Sequence, residues 1–282
     1  MRFLHIILFC FAIKQLEAVD ITVWVHGTYP ALKVLRAKWC PVKPMVYVED
    51  GLSLAKKLPK NYYFYKLAES LHELEPRLYN LNHIYTYGWH SSNVSPKQRI
   101  KEGKNLYKAI EKLLAKYQEK YRDIKLRIVG FSHGGNVILN MISHLPFKKN
   151  CVPVEVVLMG TPVQESTRHL INSPYIKKAY SFYSQGDWIQ RIDIQRFHCN
   201  CPNGSPFLSS RVFRDTDKVQ QICLTINGKK IGHTKYRSIL KYLPDMMLQV
   251  EQKLCQNPLS QMLHFDYKIT QQKNSKKKRE NK

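Results

Sequence analysis

Two kinds of apolar run alternate along this chain of 282 residues. The short, nearly continuous ones are ITVWVHG (21 to 27), HIYTYGWH (83 to 90), KLRIV (125 to 129), VEVVLMG (154 to 160), AYSFYS (179 to 184) and QQICLTI (220 to 226). Between them lie longer stretches whose apolar residues recur at three- and four-residue spacing. From 104 to 121, Leu106, Ile110, Leu113, Leu114, Tyr117 and Tyr121 form one such helical face. NVILNMISHL is apolar nearly all round and stops at Pro146, as a buried helix would. A last helical stretch begins near Tyr236, is interrupted around Pro244, and carries Met246, Met247, Val250 and Leu254. This alternation is the pattern of a parallel sheet with crossover helices. Residues 30 to 80 are mixed and aromatic-rich, and read as an insertion over one face of the sheet, a cap or lid.

Length and composition fit one α/β domain: 44% apolar and 23% charged residues are ordinary for a globular chain. The charge is not ordinary. Forty-five Lys and Arg against 21 Asp and Glu give +24, which draws polyanions or acidic membrane unless it is simply a solvated face. The densest basic patch, KKNSKKKRENK (272 to 282), has no apolar periodicity. Residues 268 to 282 are therefore expected to be a disordered basic tail, with acidic membrane as its partner, and 19 to 267 the folded domain. No basic–aromatic nucleic-acid motif occurs, so a specific nucleic-acid partner is not expected.

At the N-terminus a single Arg precedes the apolar run Phe3 to Ile13, which is the length of a signal-peptide core and too short to span a bilayer. Residues 1 to 18 are thus expected to be a signal peptide and the protein to be exported. The competing reading is a buried first strand in a cytoplasmic protein. Six cysteines outside the leader, Cys40, Cys151, Cys199, Cys201, Cys223 and Cys255, allow disulfides in an exported chain. HCNC (198 to 201) has no second Cys/His pair at metal-ligand spacing, so no metal is expected there.

The chemistry centres on IVGFSHGGNVIL, 128 to 139. A serine hydroxyl is a poor nucleophile unless a base lies within hydrogen-bond reach, a third group orients that base, and donors await the oxyanion. A strand, G-x-S-x-G and a helix present such a serine on a turn too tight for side chains two residues before or after it. Gly130 and Gly134 stand at those places around Ser132, and Gly135 lets the helix pack close. The oxyanion donors are expected at the backbone N–H groups of His133 and of Thr28, which follows the strand VWVHG. His133 itself should point its side chain away, and His26 reads as structural. Past AYSFYS, Asp187 is the expected acid, with Asp193 second. Past QQICLTI, His233 is the expected base, ahead of His198 and His264.

With these residues in hand the chain resembles the α/β-hydrolases, and within them the lipase, esterase and GPI-inositol-deacylase-like group. The resemblance rests on VHGTYP (25 to 30), YTYGWHSSNVSPKQR (85 to 99), VGFSHGGNV (129 to 137), LMGTPVQES (158 to 166), QGDWIQ (185 to 190) and IGHTKY (231 to 236). It implies the α/β-hydrolase fold, a mostly parallel central sheet with helices on both faces. It also implies Ser132 as nucleophile, Asp187 as acid, His233 as base, and hydrolysis of a carboxylic ester, a lipid or another acyl ester, without metal or cofactor. Where the family often carries His-x-Gly after Gly-Thr-Pro, Val163-Gln164-Glu165 stands here, so the rim differs. The rival reading is a non-catalytic protein of the same fold that binds anionic lipid or a protein partner.

Overall fold

The computed structural model describes residues 18–28, 48–92, 95–146, 152–192, 208–214, 216–256 and 262–269. Of the expected leader (1 to 18) all but Ala18, of the expected tail (268 to 282) all but Lys268 and Ile269, and also Asp193 and the HCNC stretch lie outside the described residues. Of the six cysteines considered for disulfides, Cys223 and Cys255 are described, and both are free thiols.

Among the described residues, nine strands form one sheet: β1 (Ala18–Val25), β2 (Gly51–Leu54), β3 (Ile84–Gly88), β4 (Asp123–Phe131), β5 (Val154–Met159), β6 (Ile176–Tyr183), β7 (Val219–Ile226), β8 (Lys229–Lys230) and β9 (Met262–Tyr267). Their order is β2-β3-β1-β4-β5-β6-β7, with β8 and β9 both paired to β7. From β3 to β7 every neighbouring pair is parallel; β2 runs antiparallel at one edge and β8 is a short antiparallel return. The helices are α1 (Tyr63–Leu74), α2 (Pro96–Gln118), α3 (His133–Ile142), α4 (Lys235–Ile239) and α5 (Leu243–Gln256).

Two apolar layers result, because successive side chains of a strand point to opposite faces. Val154, Val156 and Leu158 of β5 pack under α2 and α3, while Val157 and Met159 pack under α1 and α5. β1 and β4 alternate in the same way, with Val23 and Ile128 on the first face and Trp24 and Val129 on the second. Strands buried on both faces read as the near-continuous apolar runs seen in the sequence. α2 starts earlier than its apolar periodicity suggests, because Ser95 caps it, its Oγ accepting from Gln98 N at 3.3 Å, and Pro96 occupies the first turn.

The expected cap over 30 to 80 is described only in part. Residues 48–80 belong to the body of the fold, while 29–47 lie outside the described residues. β2 completes the sheet edge, and α1 buries Phe64, Leu67, Ala68 and Leu71, an i, i+3, i+4, i+7 stripe, against the second face. The aromatic run NYYFYK hides that stripe, because Tyr62, Tyr63 and Tyr65 on its other side are also large. β9 is a second element that lacks a clear sequence signal. It lies parallel to β7 and buries Phe265 and Tyr267, while His264 stays exposed.

Candidate active site

The candidate residues gather at the carboxyl ends of the parallel strands, where ligands bind in open α/β sheets. β4 runs into α3 through a single residue, Ser132, whose φ of 53° and ψ of −131° are adopted reluctantly by any residue with a Cβ. Ser132 N donates to Met159 O at 2.9 Å, and Gly135 N donates to Ser132 O at 3.0 Å, so the turn is held from both sides. The flanking glycines are required by space. A Cβ on Gly130 would lie 2.8 Å from Gly135 Cα, one on Gly134 2.4 Å from Val25 O, and one on Gly135 2.0 Å from Thr161 Oγ1. A methyl at Gly130 or Gly134 would push α3 off the sheet, and one at Gly135 would collide with the Thr161 side chain in the loop after β5.

His233 follows the β7–β8 hairpin and packs against the rings of Phe131, 5.0 Å away, and Tyr236, 6.2 Å away, which also touch each other at 6.3 Å. Its Nε2 is 2.9 Å from Ser132 Oγ and its Nδ1 is 2.8 Å from Asp187 Oδ2. The carboxylate can only accept, so Nδ1 carries the proton and Nε2 is left as an acceptor facing the serine. Asp187 is fully buried. Its Oδ1 accepts from Gln190 N at 3.2 Å, and its main-chain carbonyl accepts from Arg211 Nε at 2.8 Å. Ser184 Oγ accepts from Ile231 N at 3.0 Å, which ties the loop carrying the acid to the loop carrying the base. The Tyr236 phenol is driven well above its ordinary range by burial and then by the Asp187 charge, so it stays neutral beside the carboxylate.

The loop after β1 passes directly over the serine: a Cβ on Gly27 would come within 2.9 Å of Ser132 Cβ. Thr28 comes next, and its Oγ1 is buried with no hydrogen-bond partner among the described residues. His133 turns its side chain to α2, where Nδ1 accepts from Arg99 Nη1 at 3.0 Å, so only its main chain serves the turn. His26 is structural. Its Nε2 accepts from Trp89 N at 3.2 Å, its carbonyl accepts from Trp89 Nε1 at 2.7 Å, and the two rings stack at 5.9 Å.

Burial pushes the His26 imidazole down to about 4, and its hydrogen bond to the Gly27 carbonyl offsets this only in part. The folded protein thus binds this proton less readily than the unfolded chain. Stability is full above the unfolded value and falls as pH drops. Between pH ~6.5 and ~4 the loss should reach about 3 kcal/mol. Urea midpoints measured across that window test it: His26→Asn should flatten the slope, and parallel curves for the two proteins would reject it.

Arg99, Ser184, Gln190, Arg211 and Tyr236 support this site, and sequence reading did not find them. Gln190 alone had a local signal, since an aspartate three residues ahead of a main-chain N–H is a capping arrangement. The others act across long chain separations.

A mostly parallel sheet, carrying a serine on the turn after β4, an acid after β6 and a histidine after β7, decides the architecture. The fold is the α/β-hydrolase fold. No family model and no curated protein sequence matches the chain. Solved structures resemble it distantly. A gene product of Listeria innocua is 11% identical with a TM-score of 0.43, over 89% of this chain and 100% of that one. A hyperthermophilic esterase from the archaeon Pyrobaculum calidifontis is 12% identical with a TM-score of 0.38, over 90% of this chain and 69% of that one. MenH from Staphylococcus aureus is 12% identical with a TM-score of 0.29, over 91% and 87%. At this distance nothing about activity carries over from these proteins to this α/β-hydrolase-fold chain.

Proposed function

We propose that the protein is a serine hydrolase that cleaves carboxylic esters through an acyl-serine intermediate. The observation that carries this reading is the unbroken line from Asp187 Oδ2 through His233 to Ser132 Oγ, with steps of 2.8 and 2.9 Å. His233 Nε2 takes the proton from Ser132 Oγ as the oxygen attacks the ester carbonyl. Asp187 holds the tautomer and stabilises the imidazolium that forms. The N–H groups of Thr28 and His133 receive the oxyanion, with the unpartnered Thr28 hydroxyl beside them. His233 then protonates the leaving alcohol, and water repeats the sequence on the acyl-serine.

The rim favours an acyl or lipid ester over a small polar one, because Trp188, directly after Asp187, is 64% exposed and Ile192 is 50% exposed. A fluorophosphonate probe tests the reading. Wild type should be labelled on Ser132 and Ser132→Ala should not. Folded wild type that takes no label would instead favour a binding protein on the same fold.

A further inference from the structure

Away from Ser132, between α2 and the edge strand β2, lies a trough of ≈ 950 Å³, within the ~300–1,000 Å³ typical of small-molecule sites. It runs toward the amino-terminal end of β3, where His83 and Tyr85 line it, whereas Ser132 sits beyond the carboxyl end of β4. Its floor is aliphatic: Leu52 and Leu54 from β2, and Ala109 and Leu113 from α2. Its rim is cationic. Lys57, Lys112, Lys116 and Lys120 are all exposed along it, against the one carboxylate of Glu49 among the described lining residues.

Folding does not account for these lysines. Lys112, Lys116 and Lys120 stand four residues apart and continue Lys97, Lys101, Lys104 and Lys108 along the exposed face of α2 and its end. Like charges at that spacing weaken a helix. Of the acids along it, Glu111 accepts from the Tyr107 hydroxyl at 2.9 Å, and Glu119 at the helix end forms no ion pair with these lysines among the described residues. Nor do the hydroxyls at the end of the trough call for a ligand. Tyr117 OH lies 3.0 Å from Tyr85 OH and 2.7 Å from His83 Nδ1, so these groups satisfy one another. What is left is an apolar channel under positive charge that no described residue pairs.

We propose that this trough binds a single-chain anionic amphiphile, with the aliphatic chain along Leu52, Leu54 and Leu113 and a carboxylate or phosphate head at Lys112, Lys116 and Lys120. The site is separate from the chemistry at Ser132 and does not depend on it. Neutral alcohols and esters of the same chain length lack the head that the lysines recognise. Compact polyanions lack the chain that the leucines cover.

Titration of the full chain with 11-(dansylamino)undecanoate, read by fluorescence, tests this. Saturable binding is expected, displaced by dodecanoate and by dodecyl phosphate but not by tripolyphosphate. The corresponding neutral alcohol, 11-(dansylamino)undecanol, and the triple variant Lys112→Gln/Lys116→Gln/Lys120→Gln titrated with the acid probe, should each give binding at least about tenfold weaker, the effect of losing one charge-assisted contact. Ala109→Trp should block the channel without changing the charge. A melting curve confirms that each variant is folded, and the lysine variant, in which repulsion is relieved, should melt no lower than wild type. The proposal fails if folded wild type does not saturate, or if both variants bind as wild type does, which would place the probe elsewhere, at Ser132 for instance. It also fails if tripolyphosphate competes as well as dodecyl phosphate, which would make the rim a general polyanion surface.

Discussion

His233→Ala is expected to lower kcat on a p-nitrophenyl ester by about 10⁴- to 10⁶-fold, with KM little changed. The reason lies in the direction of the two hydrogen bonds. Nδ1 donates to Asp187 Oδ2 at 2.8 Å, which leaves Nε2 the acceptor toward Ser132 Oγ at 2.9 Å. No other described base stands in for it: His26 is buried against Trp89, and His133 accepts from Arg99. Removing the imidazole leaves the serine with its full intrinsic pKa, while the turn, the Thr28 loop and the rim stay in place to bind substrate. The loss should therefore appear in turnover. Double substitution with Ser132→Ala should cost hardly more than either change alone, because the residues act as one unit. A loss below tenfold in His233→Ala would remove histidine from the chemistry, and additive losses in the double variant would deny that the two work together.

Gly134→Ala should destabilise the fold by more than about 3 kcal/mol, a large share of the ~5–15 kcal/mol that holds a domain together. The added methyl would come within 2.4 Å of Val25 O and 2.5 Å of His26 O. Both are main-chain atoms at the end of a central strand, so no rotamer change relieves the contact. Either α3 lifts away from β1 or the strand end moves, and either shift displaces Thr28 from Ser132. Gly232→Ala is the control, since a Cβ there meets nothing within 4 Å, and it should leave stability within about 0.5 kcal/mol of wild type. Urea denaturation of the three proteins decides the matter. A midpoint for Gly134→Ala equal to that of Gly232→Ala would show that the two carbonyls can yield.

The central strands and the helix faces were legible because they are buried on defined sides, and burial imposes a period. β1, β4, β5, β6 and β7 read as continuous apolar runs because helices cover both faces of the sheet. α1 and β9 were not legible, for different reasons. The aromatic residues around α1 blur its stripe, and β9 is an edge strand with only Phe265 and Tyr267 buried. The site divides in the same way. Gly130, Ser132, Gly134 and Gly135 carry a local signal because a tight turn excludes side chains within a few residues of it.

The amino-acid sequence by itself determined the alternation of strand and helix and the turn at Ser132, since both follow from local sterics and from the period at which a chain can bury its apolar residues. Only the tertiary structure decided what meets that turn. Asp187 and His233 were candidates by position along the chain, and parallel pairing of β4, β5, β6 and β7 brings them to one edge within 3 Å of each other. Arg211 reaches the carbonyl of Asp187 from 24 residues away, and Arg99 reaches His133 from 34. The lysines of α2 gain a channel beneath them only because β2 lies beside that helix. These are contacts between distant parts of the chain, set by the register of a sheet, and no local pattern of residues encodes them.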